Sequence, residues 1–441
     1  MATRFANRGT SPGAVLLAAA IPILFLHVHY QPGLAISLGS TSLDAYLSDF
    51  AVLAIVGLAA VEASRRGSAT LRPGRPLWIA GALFLVWVAV SVVYGRLHAS
   101  AYPWQTHGVT AAKFAEYALL APAVPLLLRR TRDLVLPIWS LALWSAAATV
   151  VGIAQFFGAD IFLAGTVGRR QASFLSSADF AALSAAALLV GVVAIAAPRV
   201  PRTRIPSAIA TLSGALGMIV AGAVASLLGL ATALVVLGVV LLVRRDVAPR
   251  RLLAIGAVAA VVAIGVVAIR GSDLDAFARF LGASPGAAKA QPTKVQTYAH
   301  RTLLAWIGFE IWKDQPVLGV GWEGSAEPVN FEPYLPAAHR HFPDEAPLAF
   351  PSPARRYGVQ NSWIQALADL GVIGLALWVA VFAAAAWVAV KGLPSVTALY
   401  GLLATGLLVW LWTAQGFVAG IPLDALTFLA FGAAATRLVD E

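Results

Sequence analysis

From Trp363 to Val390 the chain carries no Lys or Arg, and Asp369 is its only acidic residue. A helix needs about 20 apolar residues to cross a hydrocarbon core of roughly 30 Å, so this run can span a bilayer. Backbone in lipid must satisfy its own hydrogen bonds, which selects a helix here. Eleven further apolar runs accompany it, and the twelve candidate spans are 11–28, 44–63, 77–95, 109–128, 134–157, 177–197, 206–222, 224–243, 252–269, 362–386, 396–413 and 417–436. The sequence therefore predicts an all-α polytopic membrane protein of about twelve transmembrane helices. The 59% hydrophobic and 12% charged composition agrees. The net charge of +10 sits in short clusters between apolar runs, so it is not a nucleic-acid signal. The absence of Cys excludes disulfides and thiolate metal sites. Arg4 and Arg8 precede the run 13–26 as in a signal peptide, but no clear small-residue cleavage site follows, and the run reads as a retained first span.

Basic residues fix the expected orientation. With a cytoplasmic N-terminus, 18 of the 31 Lys and Arg fall on the inner side, in clusters such as Arg65–Arg75, Arg129–Arg132, Arg199–Arg204 and Arg244–Arg251. The short outer connections hold only Arg96, Lys113, Arg169 and Arg170. Both termini are then cytoplasmic, in an inner membrane. The chain divides into spans 1–9 (1–269), an external loop with short helices (270–361) and spans 10–12 (362–441). In the loop, Ser272-Asp273-Leu274-Asp275 reads as a capping box before a helical run 276–281, in preference to a metal-binding D-x-D pair. A second helix is expected over about 295–313, stopped by Pro316 and followed by a Gly319-Val320-Gly321 turn. The stretch 322–358, with seven Pro, reads as irregular.

At the seam where loop becomes span stands Gln360-Asn361-Ser362-Trp363-Ile364-Gln365. Asn361 or Ser362 can cap the helix by accepting from a first-turn N–H. Nine residues after Asn361 comes Gly371-Val372-Ile373-Gly374. This pattern resembles the O-antigen ligase and polymerase superfamily, which shows His-Asn, nine residues, then Gly-x-x-Gly; the family's His is Gln360 here. Gln365 and Asp369 also resemble residues of that family helix. Two further fragments are similar: Arg301, Trp306, Pro316 and Gly319-Val320-Gly321 in that order, and Gly168 to Phe174 with Asp179 following.

The resemblance implies a glycosyltransferase that moves a glycan from a polyprenyl-diphosphate carrier to an acceptor hydroxyl at the outer membrane face. The acceptor is a glycan, lipid or protein, and no cofactor or metal is implied. Negative charge grows on the departing diphosphate, and guanidinium groups fit its oxygens bidentately. Arg169, Arg170 and Arg301 are the candidates for that role, weighed against lipid-headgroup contacts or ordinary loop packing. Gln360 and Asn361 are candidates for the acceptor site, weighed against a plain helix cap. Gln cannot take the acceptor's proton at useful pH, so His339, His341, Asp344 and Glu345 in the loop are alternative bases, although most such histidines are solvated. Lys113 and Glu116, three apart, form one wall of an outward site or simply pair with each other. Asp179 and Asp369 are supporting candidates, Asp369 most readily by bonding to a neighbouring span. The thirteen Trp read mostly as interface anchors.

Ligase and polymerase share this donor and chemistry, and the sequence does not separate them. A secondary transporter would show an internal repeat and polar groups at mid-membrane; neither is visible. A non-catalytic envelope subunit is the third alternative, raised by Gln360.

Overall fold

A computed structural model describes residues 11–38, 41–162, 164–197, 200, 202–244, 249–280, 297–343, 345, 347–352 and 357–439. The helices in chain order are α1 Pro12–Leu24, α2 Leu47–Arg66, α3 Arg75–His98, α4 Trp104–Ala118, α5 Leu120–Leu127, α6 Val135–Phe156, α7 Ser177–Ala196 and α8 Arg204–Ala221. They continue with α9 Val224–Arg244, α10 Pro249–Phe280, α11 Thr297–Asp314, α12 Pro328–Phe331, α13 Leu335–His341, α14 Ser362–Gly392, α15 Val396–Thr413 and α16 Pro422–Ala435. Among the described residues nine helical stretches are long and apolar enough to cross a membrane, so the chain is a helical, multi-pass membrane protein.

Several expectations shift. The fold is not wholly α: β1 Gly33–Leu38 and β2 Thr41–Tyr46 form an antiparallel hairpin ahead of α2, so the run predicted from 44 becomes helical only at Leu47. The fourth run, 109–128, is two pieces, α4 and α5. Pro122 removes a backbone donor at that junction and Pro125 lies within α5. The first and twelfth runs carry helices shorter than predicted, α1 and α16. The capping box at 272–275 is not a helix start, because α10 runs unbroken from Pro249 to Phe280. The expected loop helix is α11, and the stretch 322–358 contains the short helices α12 and α13.

The core is built around α7, whose membrane-crossing window is 72% buried. Its Ala-rich faces allow neighbouring backbones to approach closely, as membrane helices without a hydrophobic driving force require. Thr149 of α6 donates to the Ser213 carbonyl of α8 at 2.9 Å, and Ser213 donates to Ser145 at 3.1 Å. A second cluster is aromatic: Phe84, Phe114, Trp322, Trp378, Trp412 and Phe417 pack ring against ring. Trp322, Trp378 and Trp412 are fully buried, so these three are core residues and not interface anchors.

The helix α14 is not continuous. Gly371 breaks it with φ 67° and ψ −171°. The segment 372–392 alone extends about 31 Å, still enough to span. The break exposes backbone groups that must find partners. Val320 N–H donates to Ala368 O at 3.0 Å and Gly321 N–H to Asp369 O at 2.9 Å. Trp87 Nε1 donates to Leu370 O at 3.0 Å, and Val372 N–H donates to Pro316 O at 2.9 Å. The turn after Pro316 is thus threaded into the gap in α14. A Cβ on Gly371 would stand 2.0 Å from Val317 O, and one on Gly319 2.4 Å from the Asp369 carbonyl. The Gly-Val-Gly turn and the Gly-x-x-Gly motif, far apart in sequence, are two sides of one joint.

Candidate functional site

A group of arginines comes together away from the segment that fills the break. The loop 165–173 is shaped from within by two buried glutamines. Gln171 accepts from Gly165 N–H at 2.8 Å and donates to Thr166 O and Arg169 O at 2.9 and 3.0 Å. Gln155 accepts from Ser173 N–H at 2.8 Å and donates to Ile161 O at 2.7 Å. With Gln171 folded inward, Arg169 and Arg170 border a cavity of about 410 Å³ together with Thr166, Ser177 and Arg270. Arg170 donates from its guanidinium to Ser177 Oγ.

Arg270 belongs to α10, and Nη1 donates to Gly222 O at 2.9 Å. Gly222 caps α8 in the left-handed conformation, φ 57°. A Cβ there would meet Arg170 Cβ at 3.4 Å and Arg270 Cγ and Cδ at 3.5 Å, so both arginines lie against the C-terminal end of α8. The partial negative charge of a helix C-terminus favours cations in that place. Arg301 of α11 is pushed below the usual guanidinium range by burial and by the like charge of Arg270. It reaches the seam: Nε donates to Gln360 Oε1 over a long 3.4 Å. The structure therefore gathers Arg169, Arg170 and Arg270 around one cavity, and connects Arg301 to Arg270 on one side and to Gln360 on the other. Arg270 was missed in the sequence, where it reads as the first residue of the external loop. Its signal is a cation at the end of a span where basic residues are scarce.

At the seam, Asn361 is the cap. Its Oδ1 accepts from Trp363 N–H at 3.0 Å and Ile364 N–H at 3.1 Å. Gln360 does not cap; it is exposed beside Arg301. The two first-turn donors engaged by Asn361 are therefore not offered to an anion. Asp369 is fully buried, accepting from Ser325 N–H at 2.7 Å and from Gln365 Nε2 at 3.0 Å. Gln365 in turn accepts from Phe417 N–H at 2.6 Å. Asp369 thus ties the loop to the broken helix, and its side-chain partners are the loop and its own helix, not a neighbouring span.

The remaining described candidates have partners of their own. His339 and His341, on α13, stack against Phe350 and Trp306 with ring centroids 3.7 and 4.9 Å apart. Glu345 follows α13, its N–H donating to Phe342 O at 3.3 Å, and Asp344 lies outside the described residues. Lys113 does not pair with Glu116. It pairs with Asp49 of α2 at 2.9 Å and donates to Asp44 O at 2.9 Å, because the helices α2 and α4 face each other there. Asp179 caps α7 by exchanging hydrogen bonds with Ser176.

Another charged group escaped the sequence reading. His107, on α4 just ahead of the run 109–128, is buried between Glu323 at 3.3 Å and Glu327 at 3.0 Å. Burial alone pushes the imidazole down, but the two carboxylates outweigh it and raise the group to about 9. Thr110 also donates to Glu323 at 2.9 Å. A lone His near a Trp carried no pattern in the sequence, and its partners lie more than 200 positions away. No group of three or more metal-ligating side chains occurs among the described residues.

The fold and this arrangement define a polytopic membrane protein with a cluster of guanidiniums at one end of its helix bundle. Residues 208–379 match the family model described as O-antigen ligase, so this part of the chain is similar to that family. The match contains Arg270, Arg301, Gln360 and the whole joint, and leaves Arg169 and Arg170 outside it. No curated protein matches the chain.

Proposed function

We propose that the protein is a membrane glycosyltransferase of the ligase type. It transfers a glycan from a polyprenyl-diphosphate carrier to an acceptor hydroxyl at the outer face of the cytoplasmic membrane. The observation that carries this reading is the guanidinium cluster, with three arginines on one cavity and a fourth linking it to the seam. A diphosphate offers two phosphates whose oxygens suit several guanidinium forks at once.

In this reading the layout has twelve spans, counting α1, the α4–α5 pair and α16 as crossings, with both termini inside and 270–361 outside. The acceptor oxygen attacks the anomeric carbon while the bond from that carbon to the diphosphate oxygen breaks. The bonding electrons leave with the lipid diphosphate, and Arg169, Arg170, Arg270 and Arg301 stabilise the charge as it develops. Gln360 orients the acceptor through its carboxamide, itself held by Arg301. The hydroxyl proton passes to a base from the loop, among His339, His341, Asp344 and Glu345.

The test is the product formed by purified protein from a labelled polyprenyl-diphosphate glycan, with and without lipid and protein acceptors. Label on an added acceptor supports the ligase. Chains lengthening on the carrier without an acceptor indicate the polymerase of the same superfamily. No turnover of the donor in either case contradicts both.

A further inference from the structure

One cavity belongs to none of the above. It is an apolar groove of about 1100 Å³, larger than most small-molecule pockets, bordered by residues from eight helices including Leu17, Ile138, Val190, Ala208, Val258 and Leu429. One end is polar. Arg202, Thr203, Arg204 and Ser207 line it where α8 begins. No Asp or Glu lines the groove. Among the described residues neither Arg202 nor Arg204 meets a carboxylate, and both are exposed. The opposite end of α8 is Gly222, where Arg170 and Arg270 close over the helix. The two basic groups are therefore separated by the length of α8, about 27 Å, close to the thickness of a hydrocarbon core.

We propose that this groove seats an anionic glycerophospholipid of the leaflet opposite the arginine cavity. Its two acyl chains fill the apolar length and its phosphate lies between Arg202 and Arg204. Charge complementarity selects the head group: two exposed guanidiniums with no acidic neighbour in the lining attract a phosphate that keeps its net negative charge. Breadth selects the tails. A groove bordered by eight helices holds paired chains better than a single prenyl chain, and apolar walls within a membrane protein remain covered by lipid. A glycan donor, with its diphosphate at the other end of α8, has no use for this head-group site. The proposal rests on the fold alone and stands whether or not the transfer reaction is as described above.

The purified chain in nanodiscs of phosphatidylcholine, with phosphatidylglycerol added in steps, gives the test by native mass spectrometry of retained lipid. One phosphatidylglycerol per chain is expected to persist, with phosphatidylcholine retained at least tenfold less. The double variant R202Q/R204Q is expected to lose that preference by about tenfold or more. A208F places a ring in the groove from an exposed position and so leaves packing intact; it is expected to lower retention of both lipids. Equal retention of the two lipids by the natural chain overturns the proposal, as does preference unchanged in both variants. Displacement of phosphatidylglycerol by equimolar undecaprenyl phosphate, with the same arginine dependence, overturns the phospholipid assignment in favour of a prenyl carrier.

Discussion

The joint at Gly371 and the arginine cavity are built on opposite principles. At the joint the carbonyls of 368–370 and the N–H of Val372 all find partners, and Asp369 is buried with both carboxylate oxygens engaged. At the cavity, Arg169, Arg170 and Arg270 border a space of about 410 Å³, and outside it Arg301 reaches Gln360 only across 3.4 Å. The first region maximises internal satisfaction and holds the loop in register with the bundle. The second gathers guanidinium groups around a space open to a ligand. Satisfied networks contribute stability, and guanidinium groups around a cavity offer donors to an anion. Damage to the joint should therefore show in folding, and damage to the cavity in turnover.

The largest effect is expected at Gly371. G371A forces a side chain into a left-handed backbone and against Val317 O, and should cost about 3 kcal/mol or more. Membrane yield and melting temperature measure this; a variant as stable as the natural protein breaks the account of the joint. Next comes the cavity. R169A/R170A should reduce transfer roughly ten- to a hundredfold, an effect larger than any accompanying change in melting temperature. Asp369→Asn is smaller. It keeps one acceptor but sets an amide against Gln365, costing about 1–3 kcal/mol, read as a lowered melting temperature with transfer per folded molecule little changed.

The smallest effect concerns pH. His107 is raised in the folded state to about 9 from an ordinary 6.5, so the stability it contributes is full below pH 6.5 and fades as pH rises towards 9. Melting temperature should decline across that window, and H107A should flatten the decline. A decline of the same size in H107A would show that other groups cause it.

The helical bundle was legible because long apolar runs leave few alternatives in lipid. The seam at Asn361 was legible too, because a capping residue at the start of such a run has a physical meaning that the structure repeats. The break at Gly371 was not. Glycine within an apolar helix reads as a packing residue until the segment that fills the gap is known, and that segment lies some fifty positions earlier. The split at α4–α5 was signalled by Pro122 and Pro125 but masked by hydropathy. In the candidate site, Arg169, Arg170 and Arg301 could be listed from their places along the chain. Their relation depends on Arg270 and on the C-terminus of α8, which only tertiary packing brings together. The pairing of Lys113 with Asp49, in place of Glu116, has the same origin, since local spacing cannot weigh a partner on another helix.

The most direct test of the central claim is donor turnover by variants of the two arginines that sequence and structure treat differently. Transfer rate and donor binding are measured for R270A, R301A and R301K, with melting temperature alongside. The account predicts that R270A and R301A each lose roughly tenfold to over a hundredfold in rate with folding retained. It also predicts that R301K is clearly impaired, because an ammonium cannot reproduce a bidentate fork. Near-natural transfer by both R270A and R301A would contradict it.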